Sequence, residues 1–226
     1  MNWIEKSATK GKTLRKQYKL KDVEIFIKDK LPDEIDPDFV FKYIASVLPE
    51  HFLTNIDIIY IGQFENLISR DIRGIFEDGA IFITNEQDNE MDLIDDLIHE
   101  VAHSTEYSLK DIVYSSGLLE KEFRKKRNDL YSILKQKDLN PPMALINEIN
   151  FDEEIDDYLY REIGYPVLNQ LVVGHRLFVG SYSVTSIREY FAAGFEHYFM
   201  GGETIVRDCC PVLYRILQEI DDLGEQ

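Results

Sequence analysis

Residues 97–103 read LIHEVAH and contain the pattern His-Glu-x-x-His. On a helix, positions four apart lie one turn apart on the same face, so His99 and His103 can bind one metal ion. Glu100 then stands beside that ion, where a carboxylate can act as general base toward a water molecule. This combination of residue types and spacing predicts a zinc site in which two imidazoles are ligands.

The residues around the motif predict the helix that this site requires. Between residues 91 and 107 the apolar positions recur with a helical period and fall on one face: Ile94, Leu97, Ile98 and Val101. With five histidines and 42 acidic residues in 226, chance would give about 0.02 occurrences of the motif. The alternative is a helix whose histidines merely lie at a polar boundary.

A catalytic zinc site of this kind needs a third protein ligand and leaves one position open. The best candidate is Glu189 in the segment 186–197, because two alanines one turn later would let its helix approach closely. Glu196 and His197 are rivals on spacing alone. An ion pair with Arg188 is the alternative that involves no metal.

Together with the block Tyr182-x6-Glu189-Tyr-Phe-Ala-x-x-Phe195, the motif resembles zinc endopeptidases that share the catalytic domain of anthrax lethal factor. That family includes the clostridial Pro-Pro endopeptidases. The resemblance implies a zincin-like α+β fold, one zinc ion per chain and hydrolysis of a peptide bond. It also implies a set of roles: His99, His103 and Glu189 as ligands, Glu100 as general base, and Tyr182 as hydrogen-bond donor to the oxyanion.

The chain also departs from the family pattern. Glu106 falls where the family has an acidic residue shortly after the second histidine, but Ala193 replaces a second glutamate four residues after the third ligand. Residues that orient ligands tune a metal site, so this change predicts a lower rate or metal affinity. The interval from His103 to Glu189 is also longer than in the family, which indicates a helical insertion around residues 108–165.

The remaining patterns predict an α+β fold, with a small mixed sheet followed by a helical part that carries the motif helix. The predicted strands are 22–28, 55–61 and 79–84. The predicted helices are 37–49, 91–107, 118–135, 186–199 and 205–220, and an acidic run at 152–157 opens another. We expect a basic N-terminal arm, residues 1–20, and a single catalytic domain, residues 21–226.

Two segments allow opposite interpretations. The strand 79–84 is either a sheet edge that pairs with an extended peptide substrate, with Ile81 and Phe82 as substrate-binding candidates, or a fully paired interior strand. The helix 118–135 carries five basic residues that predict a solvated face or, less simply, a contact with an acidic partner. These five are Lys121, Arg124, Lys125, Lys126 and Arg127.

Composition limits the partners. A net charge of −17 argues against nucleic-acid binding, and no stretch is apolar enough to predict a membrane span. The basic arm has no apolar core, so no secretory signal is predicted. We therefore expect a protein that acts in the cytoplasm or is delivered without a signal peptide, for example one that is phage-encoded or exported by another machinery.

These observations predict a zinc-dependent endopeptidase that acts on a peptide or protein substrate. One alternative is a catalytically weak zincin-like binding module, such as a virion component or a toxin or effector module. The Ala193 departure and the long insertion motivate that alternative. A protein that only stores zinc or uses it structurally is the third possibility, although an open coordination position argues against it.

Overall fold

The structure is a computed structural model that describes residues 17–225. Residues 1–16 of the predicted basic arm lie outside the described residues, whereas its last four residues, Gln17–Leu20, form a β-strand. The chain divides into two compact units, one up to Ser104 and one from Thr105 onward. The single catalytic domain expected from the sequence stays a prediction.

The first unit contains the strands and three helices. Its elements are β1 (Gln17–Leu20), β2 (Val23–Ile27), α1 (Pro37–Val47), a 3-10 turn (Glu50–Leu53), β3 (Ile58–Ile61), α2 (Glu65–Arg70), β4 (Gly74–Glu77), β5 (Ala80–Ile83) and most of α3 (Glu90–Ser108). Helix α1 begins as predicted, because the side chain of Asp36 accepts a hydrogen bond from the Asp38 N–H and proline occupies the first helical turn.

The five strands form one mixed sheet in the order β1-β2-β3-β5-β4. Strands β2, β3 and β5 are parallel, and β1 and β4 run antiparallel to their neighbours. Alternation along the strands separates two rows of side chains. One row is buried, Ile25, Ile59 and Ile81, and the next is partly exposed and aromatic, Phe26, Tyr60 and Phe82.

The position of β5 decides between the two interpretations of the strand 79–84. Strand β5 pairs with β3 on one side and β4 on the other, so the prediction of a sheet edge is wrong. Ile81 is fully buried, and the ring of Phe82 stacks on that of Tyr60 at 5.2 Å between centroids. The backbone pairing with substrate that was expected of Ile81 and Phe82 is therefore already taken up within the sheet.

The second unit is helical. Its elements are the end of α3, α4 (Lys110–Tyr114), α5 (Leu118–Gln136), α6 (Ala144–Asn147), α7 (Glu153–Asp157), a π-helical turn (Tyr158–Ile163), α8 (Tyr165–Gly174), a 3-10 turn (Tyr182–Val184), α9 (Ile187–His197), a second π-helical turn (Tyr198–Gly202), α10 (Glu203–Cys209), α11 (Pro211–Asp221) and a last 3-10 turn (Asp222–Glu225). The predicted mixed α+β class is confirmed. Within residues 17–225, no helix combines the length and apolar character needed to cross a membrane.

Two predictions for this unit are wrong. The terminal helix expected at 205–220 is two helices, because Pro211 offers no N–H to the preceding turn and Cys210 leaves helical geometry. The basic run of α5 is not simply a solvated face. Lys126 is 7% exposed and Arg127 is 1% exposed, and both donate hydrogen bonds to backbone carbonyls.

The break at Pro211 creates a helix start that a side chain of α5 stabilises. The carboxylate of Glu122 accepts hydrogen bonds from the N–H groups of Val212 at 2.9 Å and Leu213 at 3.2 Å, and from the hydroxyl of Tyr190 at 2.8 Å. A negative charge at a helix N-terminus interacts favourably with the exposed N–H groups there. Glu122 therefore joins α5, α9 and α11.

We expect Glu122→Gln to lower the free energy of unfolding by about 1–2 kcal/mol, because it removes the charge and one acceptor. Urea denaturation at pH 7 measures this change. The control is Glu120→Gln on the same helix, whose carboxylate pairs with Arg124 at a partly exposed position; its effect should stay below about 0.5 kcal/mol. Equal effects of the two variants would contradict the capping role of Glu122.

Candidate metal centre

Helix α3 holds the motif in place through its buried face. Ile94, Leu97, Ile98 and Val101 are all fully buried, as the apolar period predicted. The spacing then places His99 and His103 one turn apart, and their ring centroids are 4.9 Å apart. The sequence of α3 therefore determines the relation between these two imidazoles locally.

The structure brings a third donor to these imidazoles. One donor atom each from His99, His103 and Glu189 lie within 4.8 Å of one another, and such a group could hold a metal ion. Two imidazoles and a carboxylate are a donor set that suits zinc, although other divalent ions accept the same ligands. His103 is buried, and the other two are partly exposed.

The rival ligands lie elsewhere. Within the described part of the chain, the three-residue group includes neither Glu196 nor His197. Nδ1 of His197 lies 3.0 Å from the carbonyl oxygen of Ala193 and 3.9 Å from Oε1 of Glu196. The geometry therefore favours Glu189 among the three candidates that the sequence left open.

Glu100 is held in a close fit against the sheet. Its side chain is 6% exposed, and strand β4 passes it at Gly74. A Cβ atom at Gly74 would lie 2.9 Å from Oε1 of Glu100 and 2.8 Å from Cδ1 of Ile83, closer than carbon atoms approach either group. Glycine at this position leaves the space that the carboxylate of Glu100 occupies.

A short turn leads from Tyr182 into the helix that carries Glu189. Tyr182 begins the 3-10 turn and is 45% exposed, and its carbonyl oxygen accepts hydrogen bonds from the N–H and the hydroxyl of Thr185. Ser186 then caps α9 by accepting a hydrogen bond from the N–H of Glu189 at 3.1 Å. The backbone of the third candidate ligand is thus fixed by its own helix cap.

A buried carboxylate lies beside the first turn of α9. Glu106 is 5% exposed; its Oε1 accepts a hydrogen bond from the Tyr114 hydroxyl at 2.5 Å, and its Oε2 lies 3.1 Å from Nε of Arg188. Burial lowers the pKa of Arg188, but the charges of Glu106 and Glu189 outweigh it and raise that pKa above its ordinary value. Arg188 therefore has Glu106 as an ion-pair partner, whereas the sequence suggested only Glu189.

The sequence did not single out Tyr165. Its hydroxyl donates to Asp156 at 2.5 Å, and its ring meets that of Tyr182 edge-on at 6.3 Å between centroids. Burial raises the pKa of Tyr165, and the hydrogen bond to Asp156 and the charge of Glu189 act in the same direction. The Gly-Tyr-Pro sequence at 164–166 signals a helix start, but nothing in it indicates a neighbour of Tyr182.

Comparisons of the chain with known protein families, curated proteins and solved structures give no match. The resemblance to the lethal factor-like endopeptidases therefore rests on the motif at 97–103 and the block at 182–195. The arrangement of His99, His103 and Glu189 is an observation that does not depend on that resemblance.

We expect the protein, stripped of metal with a chelator, to take up one zinc ion per chain. His99→Ala and Glu189→Ala should each weaken zinc binding by more than about 100-fold, because even residues that only orient ligands contribute about 10- to 100-fold. Competition with a chromophoric chelator measures the affinity. Glu196→Ala is the matched control on α9 and should bind zinc as the wild type does; a loss there with none in Glu189→Ala would move the third ligand to Glu196.

Proposed function

We propose that the protein is a zinc-dependent endopeptidase. The observation that carries this proposal is the grouping of His99, His103 and Glu189, with Glu100 next to the first ligand on α3. Two histidines and a glutamate leave a coordination position open for water or substrate, which is typical of catalytic zinc sites. Structural zinc sites use four protein ligands, so the three-ligand set favours catalysis over storage.

The bound zinc ion would polarise the scissile carbonyl and increase the acidity of a water molecule. Glu100 acts as the general base: it accepts the proton of the attacking water and passes it to the leaving amine. Its close fit against Gly74 restricts the directions in which the carboxylate can point. A base held in one orientation loses little freedom on reaching the transition state.

Tyr182 is proposed to donate its hydroxyl proton in a hydrogen bond to the developing oxyanion. Its exposure of 45% leaves part of the side chain accessible to a substrate. The edge-on ring of Tyr165 limits the positions that the Tyr182 ring can adopt. This role follows the spacing of Tyr182 before Glu189, which matches the lethal factor-like pattern.

An extended substrate is proposed to pair with β4. Among the described strands, β4 ends the sheet order beyond β5, and an extended peptide adds to a sheet at such a terminal strand. Strand β4 also contains Gly74, which lies against Glu100. A peptide on β4 would therefore run past the general base, which is what cleavage within a chain requires.

We further propose that the chain has a zincin-like fold and is related to the lethal factor-like endopeptidases. The motif helix that follows a small mixed sheet and the Tyr182-x6-Glu189 block support this relation. Ala193, where the family has a second glutamate, is buried among apolar residues of α9. The ion pair of Glu106 and Arg188 lies beside the proposed third ligand in sequence.

We expect Glu100→Gln to abolish cleavage while zinc binding remains, because glutamine keeps the shape of the side chain and cannot accept the proton. A loss of at least about 10²- to 10⁴-fold is the usual contribution of a general base. The measurement is cleavage of a mixed peptide library by zinc-loaded protein, followed by mass spectrometry, with zinc affinity determined in parallel.

Full cleavage by Glu100→Gln would contradict the proposed mechanism. Zinc-loaded wild-type protein that binds a hydroxamate inhibitor but cuts no peptide would instead favour the zincin-like binding module. Binding of zinc without any binding of hydroxamate would indicate a closed site, and the endopeptidase proposal would then fail.

Gly74→Ala tests the fit around the general base. The added methyl group is too close to both the carboxylate of Glu100 and the end of Ile83, so both must shift, and we expect turnover to fall by about 10- to 100-fold with zinc affinity unchanged. Steady-state kinetics on a cleaved library peptide measure this loss. Gly174→Ala is the control, since a Cβ there meets no atom within 4 Å beyond the adjacent backbone of its own helix, and its turnover should equal that of the wild type.

A further inference from the structure

Arg127, on helix α5 within the predicted insertion, is the most deeply buried charged side chain among the described residues, with 1% of its surface exposed. It donates four hydrogen bonds, all to backbone carbonyl oxygens. Nε and Nη2 reach Val184 at 2.8 and 2.6 Å, Nη2 reaches Thr185 at 2.7 Å, and Nη1 reaches Glu148 at 2.7 Å. A planar guanidinium holds five N–H groups in fixed directions, whereas a lysine has only three on one nitrogen and cannot reproduce this fork.

The carbonyls that Arg127 holds belong to two segments that also contact each other. Val184 and Thr185 lie between Tyr182 and the cap of α9, and Glu148 follows helix α6. The carbonyl oxygen of Ile149 accepts a hydrogen bond from the N–H of Ile187 at 2.8 Å. Arg127 therefore fixes the turn at 184–185 directly and the first residue of α9 through the neighbouring segment.

A second arginine of α5 strengthens the same segment. Nη1 of Arg124 donates to the carbonyl oxygen of Asn147 at 2.9 Å, one helical turn before Arg127. The ring of Phe123 packs under the guanidinium of Arg127 at 4.6 Å, which fixes the plane of the fork. Burial lowers the pKa of Arg127 to about 10, and the charge of Arg124 acts in the same direction, so Arg127 still carries its charge at neutral pH.

We propose that Arg127 is a positioning residue for the candidate site: it fixes the interval between Tyr182 and Glu189 and thereby the place of the third metal ligand. This inference rests on the proposed function for its catalytic consequence, but the positioning itself concerns only residues of the second unit. It assigns a role to the insertion, which supplies both α5 and the 147–149 segment. Groups that orient ligands without touching the metal affect a site strongly through the precision they impose.

Arg127→Lys tests this role because it keeps the positive charge and loses the fork. We expect about 10- to 100-fold weaker zinc binding, measured with zinc alone by chelator competition at a temperature where circular dichroism shows the variant folded. The matched control is Lys126→Met, the neighbouring buried cation, whose Nζ donates to the carbonyl oxygen of Cys209 at 2.5 Å. The Lys126→Met variant should be less stable but keep wild-type zinc affinity. The carbonyl that Lys126 holds belongs to the last residue of α10 and not to the turn before α9.

A double-variant cycle separates positioning from general loosening of the fold. In the Glu189→Ala background, Arg127→Lys should weaken zinc binding no further, because it acts through Glu189. Wild-type affinity in the folded Arg127→Lys protein, an equal loss in Lys126→Met, or a full additional loss in the Glu189→Ala background would each overturn the inference.

A second readout does not depend on the metal. Amide hydrogen exchange should become faster at Ile187 and Glu189 in Arg127→Lys and stay unchanged there in Lys126→Met, because Arg127 donates to the carbonyls of the turn before α9 and Lys126 donates to Cys209 instead. If the wild type took up no zinc, the proposed function would fail. The hydrogen-exchange rates at Ile187 and Glu189 would then be the measurement that tests whether Arg127 positions the turn. Unchanged exchange at both amides would overturn that role whatever the zinc result. Should Arg127→Lys fail to fold, Arg124→Lys provides the milder test on the same 147–149 segment.

Discussion

His99 and His103 are four residues apart, so a helical backbone between them places both imidazoles on one face, and the candidate site depends on this constraint. Helix α3 satisfies it by burying a continuous apolar face, which fixes the rotation of the helix and so the direction of His99 and His103. The position of Glu100 is fixed by the same helix, because Glu100 is adjacent to His99 in the sequence. A change that distorted α3 would therefore affect the two candidate ligands and the residue proposed as general base together.

The position of the third donor, Glu189, cannot be set by α3, because Glu189 is distant in sequence from His99 and His103. Its helix begins at a serine cap, and Arg127 of α5 donates hydrogen bonds to the turn before it. The first residue of the helix, Ile187, donates its N–H to the carbonyl oxygen of Ile149. None of these contacts involves the donor atom of Glu189 itself. The precision of the group is thus produced by the backbone around α9, and the buried carboxylate of Glu106 adds an ion pair with the more exposed Arg188 on its first turn.

The elements that the sequence predicted well are those whose signals are local. The apolar period of α3, the Asp36 cap of α1 and the extent of α5 were all evident from residues within a few turns. The order of strands was not, because pairing joins segments that are distant in sequence: β5 carries a strand pattern whether it lies inside a sheet or at its edge. Strand β4 was missed although Asp78 and Gly79, both with positive φ, form the tight turn that joins it to β5.

The charged residues show why the site itself was only partly predictable. A run of five basic residues on a helix predicts solvation, since each isolated charge is costly to bury. Arg127 offsets that cost because its fork donates hydrogen bonds to three carbonyls, and those carbonyls come from residues 148, 184 and 185. No pattern within α5 contains this information. Sequence can suggest candidate ligands, because metal binding constrains residue type and spacing. The groups that hold those candidates in place become visible only when the backbone around them is known.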